Sequence, residues 1–98
     1  MPIIRIVKMT FREEGVAAFV KLFEERKGNI RGFDGCEHVE LWRDEKNPLI
    51  FFTYSIWQSE EYLNHYRFSD FFKETWSITR ALFAEKAEAW TVNKVGTN

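Results

Sequence analysis

A run dominated by apolar residues lies in the middle of the chain, from Ile50 to Trp57. β-Branched and aromatic side chains fill most of its positions, Pro48 precedes it and Ser59 follows it. A short continuous run bounded by turn residues is typical of a strand covered on both faces. The run therefore predicts a central strand with helices on one side and a second apolar layer on the other. Because so short a chain can hardly supply both layers, we expect a partner chain.

Two segments have the spacing of amphipathic helices. In the second, Ser59 is expected to accept a hydrogen bond from an early helical N–H, and Glu60 and Glu61 lie at the positive end of the helix dipole. Its apolar stripe breaks near residues 68–70 and resumes through Phe83, which predicts a helix pair or a kinked helix. The first helix places charged residues opposite a stripe formed by Val16, Phe19, Val20, Phe23 and Ile30.

Three further strands are predicted, over residues 3–10, over Cys36–Arg43 and, for a short last strand, within residues 88–95. In the second of the chain's strands, simple alternation puts Cys36, His38, Glu40 and Trp42 on one face. The polar loop at 44–48 predicts an antiparallel hairpin with the central strand.

The resulting order β, α, β, β, α, β fits an α+β fold of the ferredoxin-like, split βαβ type. In that fold a four-stranded antiparallel sheet carries its helices on one face and leaves the other bare. We predict a single domain over residues 1–98, and a homodimer in which two bare faces close into a dimeric α+β barrel.

Composition narrows the classes of partner. The net charge is −1 without a Lys/Arg run, so nucleic acid is not an expected partner, and no segment approaches the roughly 20 apolar residues of a membrane span. The single cysteine, Cys36, excludes an intrachain disulfide and suits a reducing compartment, so we expect a cytoplasmic protein. The aromatic fraction of 17% favours an aromatic-lined cavity or dimer face.

Four short motifs, in this order and spacing, resemble the antibiotic biosynthesis monooxygenase family: F-D-G-C at 33–36, E-L-W-R-D at 40–44, Y-S-I-W-Q-S-E-E at 54–61 and S-D-F-F at 69–72. The resemblance spans most of the chain, and its motifs concern structure more than activity. It implies a dimeric α+β barrel with a pocket between sheet and helices in each subunit. Some members oxygenate quinols or polycyclic aromatics there without a cofactor, so none is expected here.

Other members of that family degrade haem, with a tryptophan, a histidine and an asparagine that align here with Tyr66, Trp76 and Val7. Since the histidine and the asparagine are missing, the resemblance argues against haem. A histidine pair common on the second helix of the family aligns with Tyr66 and Phe71, and His65 is one position away. One residue turns a helical side chain by about 100°, so His65 does not simply take that role.

The candidate substrate-binding residues are Arg5, Trp57, Tyr66 and Trp76, and the candidate catalytic residue is His38. An imidazole titrates near neutral pH, and His38 shares its predicted face with Glu40, which could orient it as a base. The alternative for His38 is a structural residue near the dimer seam, and for the two tryptophans it is core packing. No metal-ligand spacing is visible.

These residues predict a cofactor-independent monooxygenase acting on an aromatic or quinol-type small molecule, an oxidoreductase. In such chemistry the deprotonated substrate itself gives electrons to oxygen, and the protein excludes water, orients the ring and stabilises the anion. The alternative is a non-catalytic ligand-binding or dimerisation module of the same fold. An RNA-binding sheet of this topology is set aside because its aromatic signature and a basic surface are lacking.

Overall fold

Four strands and three α-helices make up the computed structural model, which describes all 98 residues. They are β1 (Ile3–Phe11), α1 (Val16–Arg31), β2 (Cys36–Arg43), β3 (Ile50–Trp57), α2 (Glu60–Arg67), α3 (Asp70–Arg80) and β4 (Phe83–Val92), with a 3-10 turn at Glu13–Gly15 before α1. The strands form one antiparallel sheet in the order β2-β3-β1-β4. The predicted ferredoxin-like α+β fold is confirmed.

The last strand begins earlier than the sequence predicts. Leu82 and Phe83 extend the helical apolar spacing of α3, but the helix ends at Arg80, and β4 starts at Phe83. Phe83 pairs with Phe11 of β1, and their ring centroids lie 5.3 Å apart. Sheet pairing and aromatic contact therefore decide the conformation of Phe83, a tertiary effect that helical spacing does not register.

The predicted break in the second helical segment separates two helices. Ser69 caps α3, since its hydroxyl oxygen accepts a hydrogen bond from the Phe72 N–H at 3.1 Å. The cap predicted for Ser59 is wrong in one respect, because its side chain makes no capping hydrogen bond, although Glu60 and Glu61 do occupy the first turn of α2.

None of the helices has the length and apolar character that crossing a membrane requires.

A register shift in β2 corrects the predicted faces of that strand. Cys36 pairs with Trp57 and His38 pairs with Ile56, so Glu37 is an extra residue in β2. Cys36 therefore lies on the helix side of the sheet, where it is buried. His38, Glu40 and Trp42 share the opposite face, as predicted, but without Cys36.

The buried core is divided into two apolar clusters between the sheet and the helices. One cluster consists of Met9, Phe11, Phe19, Phe23 and Phe51, and the other of Ile30, Cys36, Trp57 and Leu63. Fully burying a side chain of this size stabilises the fold by about 1.5–3 kcal/mol. Helix α1 contributes to both clusters, and α2 contributes Leu63 to the second, so the clusters fix these helices to the sheet at both of its ends.

The other face of the sheet carries no helix. Trp42 and Trp90 are 40% and 44% exposed on this face, which we call the bare face. The Trp42 ring stacks on Tyr54 with centroids 4.7 Å apart, so these two rings form one aromatic surface, and Trp90 lies towards the other edge of the same face. Large apolar patches of this kind mark interaction surfaces.

A substitution at Gly35, in the turn before β2, tests the close packing of that turn against Tyr62 of α2. The Gly35 φ of 81° lies in the left-handed region, and an added Cβ would lie 2.2 Å from the Tyr62 ring. We expect Gly35→Ala to lower the free energy of unfolding by about 1–3 kcal/mol, measured by urea denaturation at one protein concentration. Gly28→Ala is the matched control, because nothing lies within 4 Å of its Cβ position in α1, and it should raise stability by about 0.5–1 kcal/mol. Equal free energies of unfolding for the two variants would contradict the left-handed conformation of Gly35 and its close contact with Tyr62.

Candidate functional site

A cavity of about 320 Å³ lies between the helix side of the sheet and the three helices. It occupies the space between the two core clusters. Small side chains leave this space open on the sheet, where alternate residues of β3 and β4 point towards the helices. These are Thr53, Ser55, Ala87 and Ala89. The volume is at the lower end of the range for small-molecule pockets, about 300–1,000 Å³.

Apolar and aromatic side chains from all three helices form the walls of the cavity. Trp76 is central to one wall: its ring stacks parallel to Phe72 at 5.9 Å and meets Phe83 edge-on at 5.5 Å. Fourteen of the 21 lining residues are hydrophobic, so the cavity favours an apolar, flat ligand. The other aromatic and aliphatic residues that the helices contribute to the wall are Phe19, Leu22, Phe23, Ile30, Leu63 and Tyr66, and Phe68 lines it just after α2.

Tyr66 of α2 places a phenol in the cavity. Its ring stacks on Trp57 at 5.0 Å and meets Phe72 edge-on at 5.0 Å, which fixes its position. Burial, and to a lesser extent the nearby Cys36, raises the pKa of the Tyr66 hydroxyl well above its usual value. The hydroxyl keeps its proton at neutral pH and makes no hydrogen bond within the chain. Every fully buried polar side-chain atom of the chain has a hydrogen-bond partner. The Tyr66 hydroxyl has none, so it is not fully buried and is accessible to a ligand as a donor.

Two arginines bring positive charge to the cavity without a carboxylate partner. Arg5 of β1 donates a hydrogen bond to the Thr91 hydroxyl at 2.9 Å, and Arg67 ends α2. Neither forms a salt bridge. Burial lowers the pKa of Arg5, and the charge of Arg67 lowers it further, yet an arginine stays protonated at neutral pH. The third arginine of the cavity, Arg26, is neutralised by Glu74 at 3.1 Å.

The structure brings three of the five predicted site residues together: Arg5, Tyr66 and Trp76 line the cavity. Trp57 is fully buried behind Tyr66 and donates its indole N–H to Ser55 at 3.0 Å, so it supports the wall without lining it. The core-packing alternative therefore describes Trp57, whereas Trp76 borders the open space.

His38 does not reach the cavity of its own chain, because it lies on the bare face and the sheet separates the two. One Glu40 carboxylate oxygen contacts the His38 ring, and the other accepts a hydrogen bond from the Trp42 indole N–H. These two hydrogen bonds hold the pKa of the Glu40 carboxyl below its usual value, and the one with His38 has the larger effect. Of the candidates His38 and Arg5, only Arg5 lines the cavity.

Sequence reasoning missed Arg67. The apolar spacing of α2 includes Tyr62, Leu63 and Tyr66, but Tyr62 is 40% exposed, and the cavity side of the helix carries Leu63, Tyr66 and Arg67. Leu63 and Arg67 are four residues apart, the spacing that places two side chains on one helical face, and this spacing could have identified the arginine. His65, one position from the place of the family's histidine, is exposed.

The structure contains no cluster of three or more His, Cys, Asp or Glu side chains arranged to hold a metal ion. The cavity is characterised instead by its aromatic rings, the Tyr66 hydroxyl and the guanidinium groups of Arg5 and Arg67.

Solved structures share this fold along nearly the whole chain. A conserved protein from Methanosarcina mazei Go1 superimposes with a TM-score of 0.92 at 22% identity, covering 97% of this chain and 94% of its own. Rv0793 from Mycobacterium tuberculosis has a TM-score of 0.89 at 15% identity and covers 99% of this chain and 98% of its own. A point mutant of SnoaB, a cofactor-independent oxygenase from Streptomyces nogalater, has a TM-score of 0.87 at 14% identity, with coverages of 98% and 95%.

At the level of sequence, none of the curated proteins matches the chain. The sequence profile of the family named antibiotic biosynthesis monooxygenase matches residues 2–76, which include β1 to β3, α1, α2 and the first part of α3. This confirms the resemblance that the four short motifs indicate. The chain belongs to the antibiotic biosynthesis monooxygenase family.

Proposed function

We propose that the protein is a cofactor-independent monooxygenase that oxidises a small electron-rich aromatic, such as a quinol or a phenol. The observation that supports this function best is the aromatic-walled cavity in which Arg5 and the Tyr66 hydroxyl lie together. The walls suit a flat ring, and the two polar groups suit an oxygen atom that becomes negatively charged. The name of SnoaB, a cofactor-independent oxygenase, adds to this support.

In the proposed reaction the substrate supplies the electrons. A phenol loses its hydroxyl proton, the phenolate passes an electron to molecular oxygen, and a C–O bond forms at a ring carbon that carries hydrogen. The O–O bond then breaks as water leaves with both substrate hydrogens. One oxygen atom remains as a new carbonyl, so that a phenol and O₂ give a quinone and water. No external reductant is required.

The residues of the cavity would each contribute to that step. The positive charge of Arg5 favours the ionised phenol, because an opposite charge nearby lowers the pKa of an acid. Tyr66 stays protonated and donates to the developing anion. Trp76 and Phe72 hold the ring and exclude water. In this proposal neither His38 nor any other histidine serves as the base.

A second candidate function follows from the position of the histidines. His38 is on the bare face and His65 is exposed beside Asp34 and Glu61, so the cavity contains no residue suited to act as a general base near neutral pH. A ligand-binding module without catalysis would show this arrangement. Oxygen consumption distinguishes the two functions, because binding alone consumes none.

We further propose that the protein is a homodimer closed across the bare faces of two copies. The support is the exposed apolar surface around Trp42, Tyr54 and Trp90, which a second copy would cover. In such a dimer His38 and Glu40 lie at or near the seam.

We expect the wild-type chain to have the mass of a dimer in size-exclusion chromatography with light scattering, and Trp90→Glu to shift it to the monomer. Trp90 pairs with Ile6 in the middle of β1, so the new carboxylate would lie within the proposed interface without a partner. Ile78→Glu is the matched control, since Ile78 is 41% exposed on α3, in the helix layer. A wild-type monomer at all concentrations would refute the dimer.

We expect oxygen uptake with 1-naphthol without added cofactor, and incorporation of one ¹⁸O atom from labelled oxygen into the quinone product. Tyr66→Phe should lower the rate about 100-fold or more, because it removes one donor to the anion. Tyr62→Phe, which removes a phenol hydroxyl outside the cavity on the same helix, is the control and should retain the rate. Ligand binding without oxygen uptake across a panel of phenols and quinols would favour the binding module.

A further inference from the structure

The charge of the cavity is not balanced by the chain. Arg5 and Arg67 both line it, and the salt bridges of the protein include neither. Arg26 lines the same cavity but pairs with Glu74 and donates to the Thr75 hydroxyl at 2.8 Å. The chain thus neutralises one of three cavity arginines and leaves two without an anion.

Burial and mutual repulsion make this arrangement of two positive charges unfavourable. Both arginines are partly buried, and the positive charge of Arg67 acts directly on Arg5. Two like charges in a largely apolar space cost free energy unless an anion joins them. Their neutral hydrogen-bond partners, Thr91 for Arg5 at 2.9 Å and Asn64 for Arg67 at 3.4 Å, orient the side chains without removing the charge.

A phenol is uncharged until it is deprotonated, so on binding it brings no negative charge to the two arginines. A carboxylate is charged at neutral pH and has two oxygens that match the planar donors of guanidinium groups. The rest of the cavity accepts a flat apolar body, since Phe72 and Trp76 form a stacked wall.

We infer that Arg5 and Arg67 form an anion-binding subsite and that the preferred ligands of the cavity are aromatic carboxylates. This inference rests on the proposed function in that it uses the same cavity, and it specifies the substrate class as a hydroxylated aromatic ring that also bears a carboxylate. Arg67 supplies the second charge that such a substrate needs.

The test compares two ligands of nearly the same shape, 2-naphthoate and 2-naphthamide, by isothermal titration calorimetry. The wild-type protein should bind the carboxylate about 10- to 100-fold more tightly, the range for a charged hydrogen bond in place of a neutral one. Arg67→Gln should abolish most of this preference while the affinity for the amide stays the same. Arg67→Lys should retain part of it, because the charge remains and the planar fork is lost.

Arg80→Gln is the matched control, since Arg80 is exposed at the end of α3, and the variant changes the net charge equally without touching the cavity. It should retain the full preference. Equal affinity for both ligands, tighter binding of the amide, a preference unchanged in Arg67→Gln, or no binding of either ligand would overturn the inference. Thermal unfolding of each variant identifies any that fails to fold, in which case Arg67→Lys carries the comparison.

These outcomes are separable from the oxygenase proposal. Preferential binding of 2-naphthoate without oxygen uptake by any hydroxylated ring supports the subsite and contradicts the oxygenase. Oxygen uptake with 1-naphthol, together with equal affinity for naphthoate and naphthamide, supports the oxygenase and contradicts the subsite.

Discussion

The separation of the apolar core into two clusters is the constraint on which the rest of this structure depends. Phe11, Phe19 and Phe51 pack at one end of the sheet, with ring centroids 4.2–5.7 Å apart, and Trp57 and Leu63 pack at the other. Protein interiors are otherwise filled to the density of organic crystals, so a cavity persists only where the surrounding packing is rigid. The small residues Ser55 and Ala89 between the clusters keep the middle of the sheet clear.

The alternation of side chains along each strand divides the sheet between two tasks. Arg5 faces the helices and the cavity, whereas its neighbour Ile6 faces the bare side, opposite Tyr54 and Trp90. The same backbone thus carries the candidate site on one face and the proposed dimer surface on the other. A substitution in the sheet therefore affects either the candidate site or the proposed dimer surface, depending on which face of the sheet the side chain occupies.

Much of the fold could be predicted from the sequence, because its elements have strong local signals. The bounds of β3 follow from a predominantly apolar run between turn residues, and those of β2 from the turn at Gly35 and the polar loop after Arg43. The start of β4 could not be predicted, since the spacing of Phe83 is compatible with a helix and only its contact with Phe11 decides otherwise.

The site was less accessible to sequence reasoning. Alternation shows which residues share a face but not which face meets the helices, and this is why His38 was considered for the cavity. The extra residue Glu37 also moves Cys36 to the helix side, and a bulge has no clear signature in this strand. Arg67 is not predicted because an arginine at a helix end is usually solvated, although its four-residue spacing from Leu63 is a signal for the cavity side of α2.

The absence of a histidine from the cavity limits how the proposed oxygenase could remove the substrate's proton. In that proposal Arg5 and Arg67 would lower the pKa of a bound phenol without accepting its proton, and the Tyr66 hydroxyl, whose own pKa is raised, would donate but not accept a proton at neutral pH. The proton must then pass to water at the mouth of the cavity. Catalysis of this kind depends on stabilising the anion rather than on a positioned base. The two unpaired arginines are therefore as important to the proposed reaction as the aromatic walls.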